Sequence, residues 1–336
     1  SITIDAFMAS AGDPKWNPSA DLNGDGLPEI IGSSSEGKLE AFAKKATSPI
    51  WSVKLNHNYP VSVGDIDGDG GLEVIAFSKE YSDDGEYKER FKDEFNYEGF
   101  RYYDIYIGAY RGRDGKNIFK ILSFGLPSRA PILADLNKDG SEDVIIFTDK
   151  GIVAIREGNE AFRYNMDNIH SGAAGDFHLS FGIEVFAADK DGKAVALSAN
   201  GDLLWEMSLP PPSGQPAIAD ITEDSRQEII YPSASKEIIL IDGKDGIKVA
   251  SLEIKGVPSS PLVADLDGNE TLKIALSAGG ALLAIETGSK GAIEWPSAQG
   301  DSAATGSYMI SRAYVDAIRF PKRYRRFPTL RYTTYG

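Results

Sequence analysis

Residues 65–78 read DIDGDGGLEVIAFS, and this stretch predicts a metal-binding loop that leads into a buried strand. Carboxylates occupy loop positions 1, 3, 5 and 9 and a glycine occupies position 6, in the order Asp65, Asp67, Asp69, Glu73 and Gly70. A hard divalent cation takes about six to eight oxygen ligands, so alternate side chains of a tight turn can point at one ion while the glycine permits the bend. The apolar residues that follow, 74–77, are typical of a buried strand.

This arrangement recurs along the chain at a near-constant period. We name the nine-residue copies loops 1 to 6, in chain order: 21–29, 65–73, 135–143, 176–184, 220–228 and 265–273. Their first residues lie 44, 70, 41, 44 and 45 positions apart, so one irregular gap interrupts a period near 44. Such self-similarity predicts a single repeat domain over residues 1–336 rather than two or three unrelated domains.

Each repeat has the same order of short apolar segments. One precedes the loop, one follows it, and two more are separated by tight turns. Four short antiparallel strands in about 40–45 residues are typical of a β-propeller blade. We therefore predict an all-β protein, a β-propeller of four-stranded antiparallel blades. Tryptophans at the fourth strands are expected to pack between blades: Trp51, Trp205 and Trp295.

The blade count follows from where the repeats begin. Six repeats begin near residues 17, 61, 131, 172, 216 and 261, and a divergent last blade is predicted near 305–336. The segment GSYMIS would supply its first strand, and the N-terminal ITIDAF its missing fourth strand. Seven blades, closed by pairing of the two chain ends, are favoured over six with a docked segment, since closure removes exposed sheet edges.

Three loops carry a complete set of oxygen ligands. The predicted ligands, with position 7 contributing its backbone carbonyl, are Asp21, Asn23, Asp25, Leu27 and Glu29 in loop 1; Asp65, Asp67, Asp69, Gly71 and Glu73 in loop 2; and Asp135, Asn137, Asp139, Ser141 and Asp143 in loop 3. Without a cation these carboxylates would repel one another. Calcium is preferred because the ligands are all oxygen and the loops are flexible.

The other three loops depart from this pattern. Loop 5 has Ser225 in place of the glycine, so Asp220 begins a possible fourth calcium site. Loop 4 has His178 and Ser180 where carboxylates should be, and it would hold a hard cation poorly. In loop 6 position 9 is Lys273, whose ammonium group is predicted to replace the ion through an internal salt bridge.

These repeats resemble the FG-GAP repeats of the integrin α-subunit propeller and the related VCBS-type repeats. The resemblance extends from about Asn17 to Trp295 and rests on the pattern D-x-[DN]-x-D-G-x-x-[DE] followed by an apolar strand. It implies a β-propeller and calcium in loops 1, 2 and 3, bound in the hairpin that joins the first two strands of a blade.

Composition limits the functional classes. The net charge of −15 argues against a nucleic-acid partner, which requires clustered positive charge. The chain has no cysteine and no apolar run near the roughly 20 residues of a membrane helix. No nucleophile elbow, phosphate loop or HExxH motif is present, so a non-enzymatic protein is expected. Because calcium is abundant outside cells, the loops favour an extracellular or cell-surface location.

Two regions could contact partners. The insertion at residues 80–103 is dense in charged and aromatic side chains, and it either reaches a partner or folds back on its own blade. The segment 319–331 contains six Arg or Lys with no acidic residue, and it either binds an anionic polysaccharide, another subunit or the cell surface, or packs on its own propeller with its arginines paired to carboxylates. Adhesion, protein–protein interaction or surface assembly is the favoured function. A carbohydrate-binding, lectin-like propeller or a polysaccharide-active enzyme is the alternative, because paired carboxylates are abundant. A lectin should repeat an exposed aromatic side chain in each blade.

Overall fold

The structure is a computed structural model that describes residues 18–33, 36–56, 60–81, 103–297 and 307. These residues form 24 β-strands arranged in six antiparallel sheets. Within these ranges no helix is long and apolar enough to cross a membrane. The predicted all-β class is confirmed.

The sheets follow one another along the chain. Sheet 1 contains β1 (Ser19–Ala20), β2 (Glu29–Ser33), β3 (Lys38–Phe42) and β4 (Trp51–Lys54). Sheet 2 contains β5 (Ser62–Gly64), β6 (Glu73–Tyr81), β7 (Tyr103–Arg111) and β8 (Asn117–Leu122). Sheet 3 contains β9 (Ile132–Ala134), β10 (Asp143–Phe147), β11 (Gly151–Arg156) and β12 (Asn159–Asn165).

The second half of the chain continues in the same way. Sheet 4 contains β13 (Ile169–Gly175), β14 (Glu184–Asp189), β15 (Lys193–Leu197) and β16 (Leu203–Ser208). Sheet 5 contains β17 (Ala217–Ala219), β18 (Glu228–Ser233), β19 (Glu237–Asp242) and β20 (Ile247–Glu253), and sheet 6 contains β21 (Leu262–Ala264), β22 (Lys273–Ala278) and β23 (Ala281–Glu286). A last strand, β24 (Ile293–Trp295), joins sheet 5.

Each sheet is a meander whose first and second strands are joined by one of loops 1 to 6. The second strand is largely apolar after its first residue because both of its faces are covered; β10 and β14 are buried along nearly their whole length. In the four-stranded meanders the fourth strand lies at the outer edge, and β20 is exposed at every residue. The prediction of four-stranded antiparallel blades is confirmed for sheets 1 to 4, whereas sheet 5 gains β24 as a fifth strand and sheet 6 has three described strands.

The hydrophobic core lies between neighbouring sheets. Trp51 of sheet 1 is buried and donates its indole N–H to the carbonyl of Gly112 in the next sheet (2.5 Å). Trp205 of sheet 4 repeats the contact with Gly243 of sheet 5 (2.7 Å). A Cβ on Gly115 would lie 2.9 Å from the Trp51 ring, so only glycine allows this approach. The predicted packing of these two tryptophans between blades is confirmed.

The first strands line the axis of the molecule. β5, β9, β13, β17 and β21 contact one another in that order, which places the sheets radially, as in a propeller. The N-terminal strand and the proposed last blade, apart from Ser307, lie outside the described residues. Seven blades and closure of the ring through the chain ends therefore stay predictions.

The residues after sheet 6 take a different position from the one we predicted. Instead of completing sheet 6, β24 pairs with the axial strand β17, and Trp295 is fully buried there. Ser307, placed by the sequence in the first strand of a seventh blade, instead forms a parallel bridge with Leu133 of β9. The axial edges of β17 and β9 expose backbone groups that need partners, and these residues supply them.

The sequence predicts an insertion at residues 80–103 of the second repeat. The long strands β6 and β7 pair from Glu73↔Arg111 to Tyr81↔Tyr103, so Glu80, Tyr81 and Tyr103 belong to these strands. Residues 82–102 lie outside the described residues, and the insertion stays a prediction.

Candidate metal centre

Five of the six loops share one backbone conformation. In loop 2 the Asp65 carboxylate accepts the amide N–H of Gly68 (2.7 Å) and that of Gly70 (2.9 Å). Residues at position 6 have a positive φ in all five loops: Gly26, Gly70, Gly140, Ser225 and Glu270. The turn therefore persists in loops 5 and 6 although the glycine there has been lost.

Position 9 is a buried charged residue in every loop. Each of these six side chains begins the second strand of its sheet and is no more than 3% exposed: Glu29, Glu73, Asp143, Glu184, Glu228 and Lys273. In loops 1 to 5 the carboxylate accepts the backbone N–H of position 2, at distances from 2.7 to 3.2 Å. The sequence predicts position 9 as a metal ligand but does not predict that its carboxylate also closes the loop. The recurrence of a charge at the start of each apolar strand was the available signal.

Loop 2 has the geometry of a cation site. Oxygen atoms of Asp65, Asp67 and Glu73 all lie within 4.8 Å of one another. Two oxygens that each lie about 2.3–2.6 Å from one calcium ion can be at most about 5 Å apart, so these residues fit such an ion. Among the described residues this is the only group of at least three Asp, Glu, His or Cys side chains that meets the distance limit. Asp69 lies outside the group and accepts the N–H of Gly71 (2.6 Å).

The electrostatics of loop 2 also favour a cation. Burial, together with the nearby carboxylates of Asp67 and Asp65, raises the pKa of Glu73 to about 8, against the hydrogen bond from Ile66. The loop by itself therefore does not keep all of its carboxylates ionised at neutral pH. A bound divalent cation would favour the ionised form of Glu73 and remove the repulsion.

Loop 1 has a similar framework with one amide in place of a carboxylate. Asn23 donates its side-chain N–H to Glu29 (3.1 Å), and its carbonyl oxygen accepts the amide of Asp25 (2.8 Å). Burial raises the pKa of Glu29. Asn23 thus partly compensates the buried carboxylate, and we retain the five predicted ligands of loop 1 as a proposal.

Loop 3 differs from the prediction at its ninth position. Asp143 receives two hydrogen bonds from the Arg156 guanidinium, at 2.8 and 2.9 Å. The pKa of Asp143 is still raised, because burial outweighs this contact. Loop 3 therefore already contains a cation beside Asp143. This carboxylate would have to leave the Arg156 guanidinium to ligate calcium.

The contacts of one arginine on the third strand explain the difference between loops 2 and 3. Arg111 and Arg156 both lie on the third strand, directly across from position 9. The Arg111 guanidinium turns instead to Asp114 in the following turn (3.3 Å). Glu73 is therefore left to the loop, whereas Asp143 is paired.

Loops 4 and 5 satisfy position 9 with neutral donors. Glu184 accepts the N–H groups of Phe177 and His178 and the hydroxyl of Ser180. In loop 5, Glu228 accepts the Thr222 hydroxyl (3.1 Å) as well as two backbone N–H groups. Asp220 is 6% exposed, and its Oδ1 has no hydrogen-bond partner among the described residues. This oxygen supports the possible fourth site.

Loop 6 contains its own cation, as predicted. The Lys273 ammonium donates to Asp267 at position 3 (2.7 Å) and lies 3.4 Å from the side-chain oxygens of Asn269 and Thr271. Glu286 on the neighbouring strand is also 3.4 Å away. Burial works against the charge of Lys273, but the contacts with Asp267 and Glu286 outweigh it and the pKa of Lys273 is raised. The predicted internal salt bridge is confirmed.

Comparisons with known proteins agree with this architecture. Residues 21–76, which contain loops 1 and 2, match the family model described as FG-GAP-like repeat. A search of curated proteins found no match to the sequence. The chain has the β-propeller fold, and its residues 21–76 are similar to FG-GAP-like repeats.

Solved propellers of similar fold share little sequence with this chain. One is BBS1N, crystallised in complex with ARL6DN and soaked with lead; it is 13% identical, the match covers 83% of this chain and 79% of that chain, and the TM-score is 0.54. Another is Sqt1 of Saccharomyces cerevisiae, 12% identical over 77% of this chain and 69% of that chain, also with a TM-score of 0.54. At these identities the similarity concerns the fold.

Proposed function

We propose that this protein is a non-enzymatic, extracellular β-propeller that calcium stabilises and that binds protein partners in adhesion or surface assembly. The observation that supports this most directly is the convergence of Asp65, Asp67 and Glu73 in loop 2. The proposal treats residues 1–336 as one β-propeller domain.

Calcium has a structural role in this proposal. An ion that binds only the folded protein at a hundredfold excess over its Kd adds about 2.7 kcal/mol to the free energy of unfolding. Since the net stability of a typical domain is about 5–15 kcal/mol, one or two such sites are a large fraction of it. Loop 2 is the first site to fill, loop 1 the second, and loop 3 binds only if Arg156 is displaced.

The distribution of polar groups supports binding rather than catalysis. The buried carboxylates at position 9 are engaged with backbone N–H groups of their own loops, which gives them a structural task. The described histidines, His170 on β13 and His178 in loop 4, share no hydrogen bond with each other. BBS1N, a propeller of similar fold, was crystallised with another protein, ARL6DN, and this supports a protein partner for the present chain.

The carbohydrate-binding alternative requires repeated exposed aromatic side chains. Trp51 and Trp295 are buried, and the indole of Trp205 is bonded to the next sheet, so these residues are occupied by packing. The recurring tryptophans therefore give that alternative no support.

A glycan array combined with sizing in calcium and in chelator tests the proposed function. We expect no glycan binding, and assembly or partner binding by a protein whose melting temperature rises with calcium. The matched control is Asp67→Asn with Glu73→Gln, which should lose the calcium response of loop 2. Glycan binding by a calcium-loaded monomer would instead establish the lectin.

A further inference from the structure

Loop 4 has exchanged its metal ligands for exposed apolar side chains. Leu179 is 81% exposed and Phe181 is 75% exposed, and they occupy positions 4 and 6, where loops 1 and 2 have glycine. We name Leu179 and Phe181 the loop-4 patch. Large apolar side chains that are exposed side by side typically mark a contact surface.

Charged groups surround this patch. Lys138 of loop 3 pairs with Asp176 of loop 4 (3.2 Å), and its ammonium lies 5.9 Å from the centre of the Phe181 ring. The carboxylates of loop 3 lie on one side of the patch. On its other side is sheet 5, which carries loop 5, since Phe177 of loop 4 packs close to Gly243 of that sheet. The patch is therefore an apolar spot on an acidic face, and a fitting partner combines apolar and cationic side chains.

Ser307 fixes the chain at this face. Its backbone pairs in parallel with Leu133 of β9, which leads directly into loop 3, and its hydroxyl donates to Glu142 of that loop (2.5 Å). Ser307 therefore lies beside loop 3, on the face that carries the loops. Sheet 4, which carries the patch, is the next sheet, because β9 contacts β13.

The residues that follow have the required chemistry. The segment 319–331 contains Arg319, Lys322, Arg323, Arg325, Arg326 and Arg331, together with Phe320, Tyr324, Phe327 and Leu330. The eleven residues between Ser307 and Arg319 span up to about 40 Å when extended, which exceeds the separation of neighbouring sheets. A short tether also gives an effective concentration on the order of millimolar, so a weak contact suffices.

We infer that segment 319–331 of the same chain docks on the loop-4 patch. Its aromatic side chains cover Leu179 and Phe181, and its guanidinium groups face the carboxylates of loops 3 to 5. Arginine and aromatic residues are the side chains most enriched where such surfaces are buried. The contact requires no calcium, so it goes beyond the proposed function and is tested separately from it.

Cysteine pairs test this contact cleanly, because the natural chain has no cysteine. The test pair is Leu179→Cys with Phe327→Cys. The control pair is Leu282→Cys with Phe327→Cys, since Leu282 is similarly exposed (72%) but lies near the turn between β22 and β23, on the opposite face. We expect the test pair to form a disulfide within one monomer at a yield that does not change on dilution, and the control pair to remain reduced.

The other outcomes of this experiment contradict the inference. Disulfide-linked dimers that disappear on dilution would mean that a second copy occupies the patch. Equal yields for the two pairs, or no disulfide in either, would mean that the segment does not dock there.

Hydrogen exchange provides a second measurement without cysteines. Peptides covering 319–331 should exchange faster in Leu179→Ser/Phe181→Ser than in the natural protein, while Leu282→Ser should leave them unchanged. Unchanged exchange of β14 in all three proteins would show that they remain folded. If exchange of 319–331 is the same in the natural protein and in Leu179→Ser/Phe181→Ser, the inference is wrong.

Discussion

Loops 2 and 6 have the same backbone but satisfy it with different charges. In both, the aspartate at position 1 accepts the amide of the glycine at position 4, at 2.7 Å in loop 2 and 2.8 Å in loop 6. Loop 2 then places Glu73 at position 9, and loop 6 places Lys273 there. One loop therefore concentrates negative charge that a metal ion can neutralise, and the other contains its own ammonium group. The turn tolerates either solution because its backbone hydrogen bonds are the same.

Loop 3 lies between these two cases. It retains the acidic residues of loop 2 but pairs Asp143 with Arg156 on the neighbouring strand. An arginine lies across the sheet from position 9 in both loops 2 and 3, but Arg111 bonds to Asp114 whereas Arg156 bonds to Asp143. The contacts of that arginine, and not only the loop sequence, therefore decide whether a carboxylate is available to a metal. Four experiments test which loops bind calcium and which contain their own cation.

The largest expected effect is that of calcium on stability. In excess calcium the free energy of unfolding should exceed that in chelator by about 2.7 kcal/mol for each site at a hundredfold excess over its Kd. Asp67→Asn with Glu73→Gln should reduce this gain by the share of one site, as measured by urea unfolding. Asp267→Asn in loop 6 is the matched control and should leave the gain intact. An equal loss in both variants would contradict the assignment of the site to loop 2.

The second effect concerns loop 3. Arg156→Gln leaves the buried Asp143 without its guanidinium and should cost about 1–2 kcal/mol in chelator, because a buried carboxylate loses its charged partner. In calcium part of this loss should return, since Asp143 becomes free to ligate the ion.

The matched variant for that experiment is Arg111→Gln. Arg111 is partly exposed and bonds to Asp114, so its loss should cost less than about 1 kcal/mol. A calcium response of Arg156→Gln equal to that of the natural protein would show that Arg156 does not block loop 3.

The third effect tests the internal cation of loop 6. Lys273→Glu recreates the position-9 carboxylate and should lower the melting temperature in chelator by about 2 °C, with recovery in calcium. Lys290→Glu changes an exposed lysine near the same loop and should show neither effect. If Lys273→Glu is equally stable with and without calcium, the ammonium does not stand in for an ion.

The fourth effect is the pH dependence of the calcium-free protein. The folded-state pKa of Glu73, about 8, lies above its ordinary value of 4.5, so the folded state binds more protons than the unfolded state between these pH values. The contribution of Glu73 to stability is thus fully present below about pH 4.5 and is lost as the pH rises to about 8. Glu73→Gln should flatten this part of a melting-temperature profile recorded in chelator, and calcium should do the same. An identical slope in the natural protein and in Glu73→Gln would contradict the raised pKa.

Much of the fold could be predicted because its signals are local. The loops, the apolar strand after each one and the turns recur within 41 to 45 residues in all but one repeat, so each blade can be recognised from its own sequence. The lysine of loop 6 could also be predicted, since it replaces a ligand of opposite charge at the same position. These inferences depend on short separations along the chain.

Contacts between distant residues could not be predicted in this way. Arg156 pairs with Asp143 through strand register, and an arginine in the equivalent place on β7 turns elsewhere because Asp114 is near. Likewise β24 and Ser307 pair with the axial strands β17 and β9, which come far earlier in the chain. These positions satisfy backbone N–H and C=O groups at the edges of the two strands. Periodicity carries no information about such pairings.

Anomalous scattering from crystals grown in calcium would locate the bound ion directly. We expect an anomalous peak between Asp65, Asp67 and Glu73 and none beside Lys273 in loop 6. If loop 2 has no peak in saturating calcium, or if loop 6 has one, calcium does not bind as proposed here.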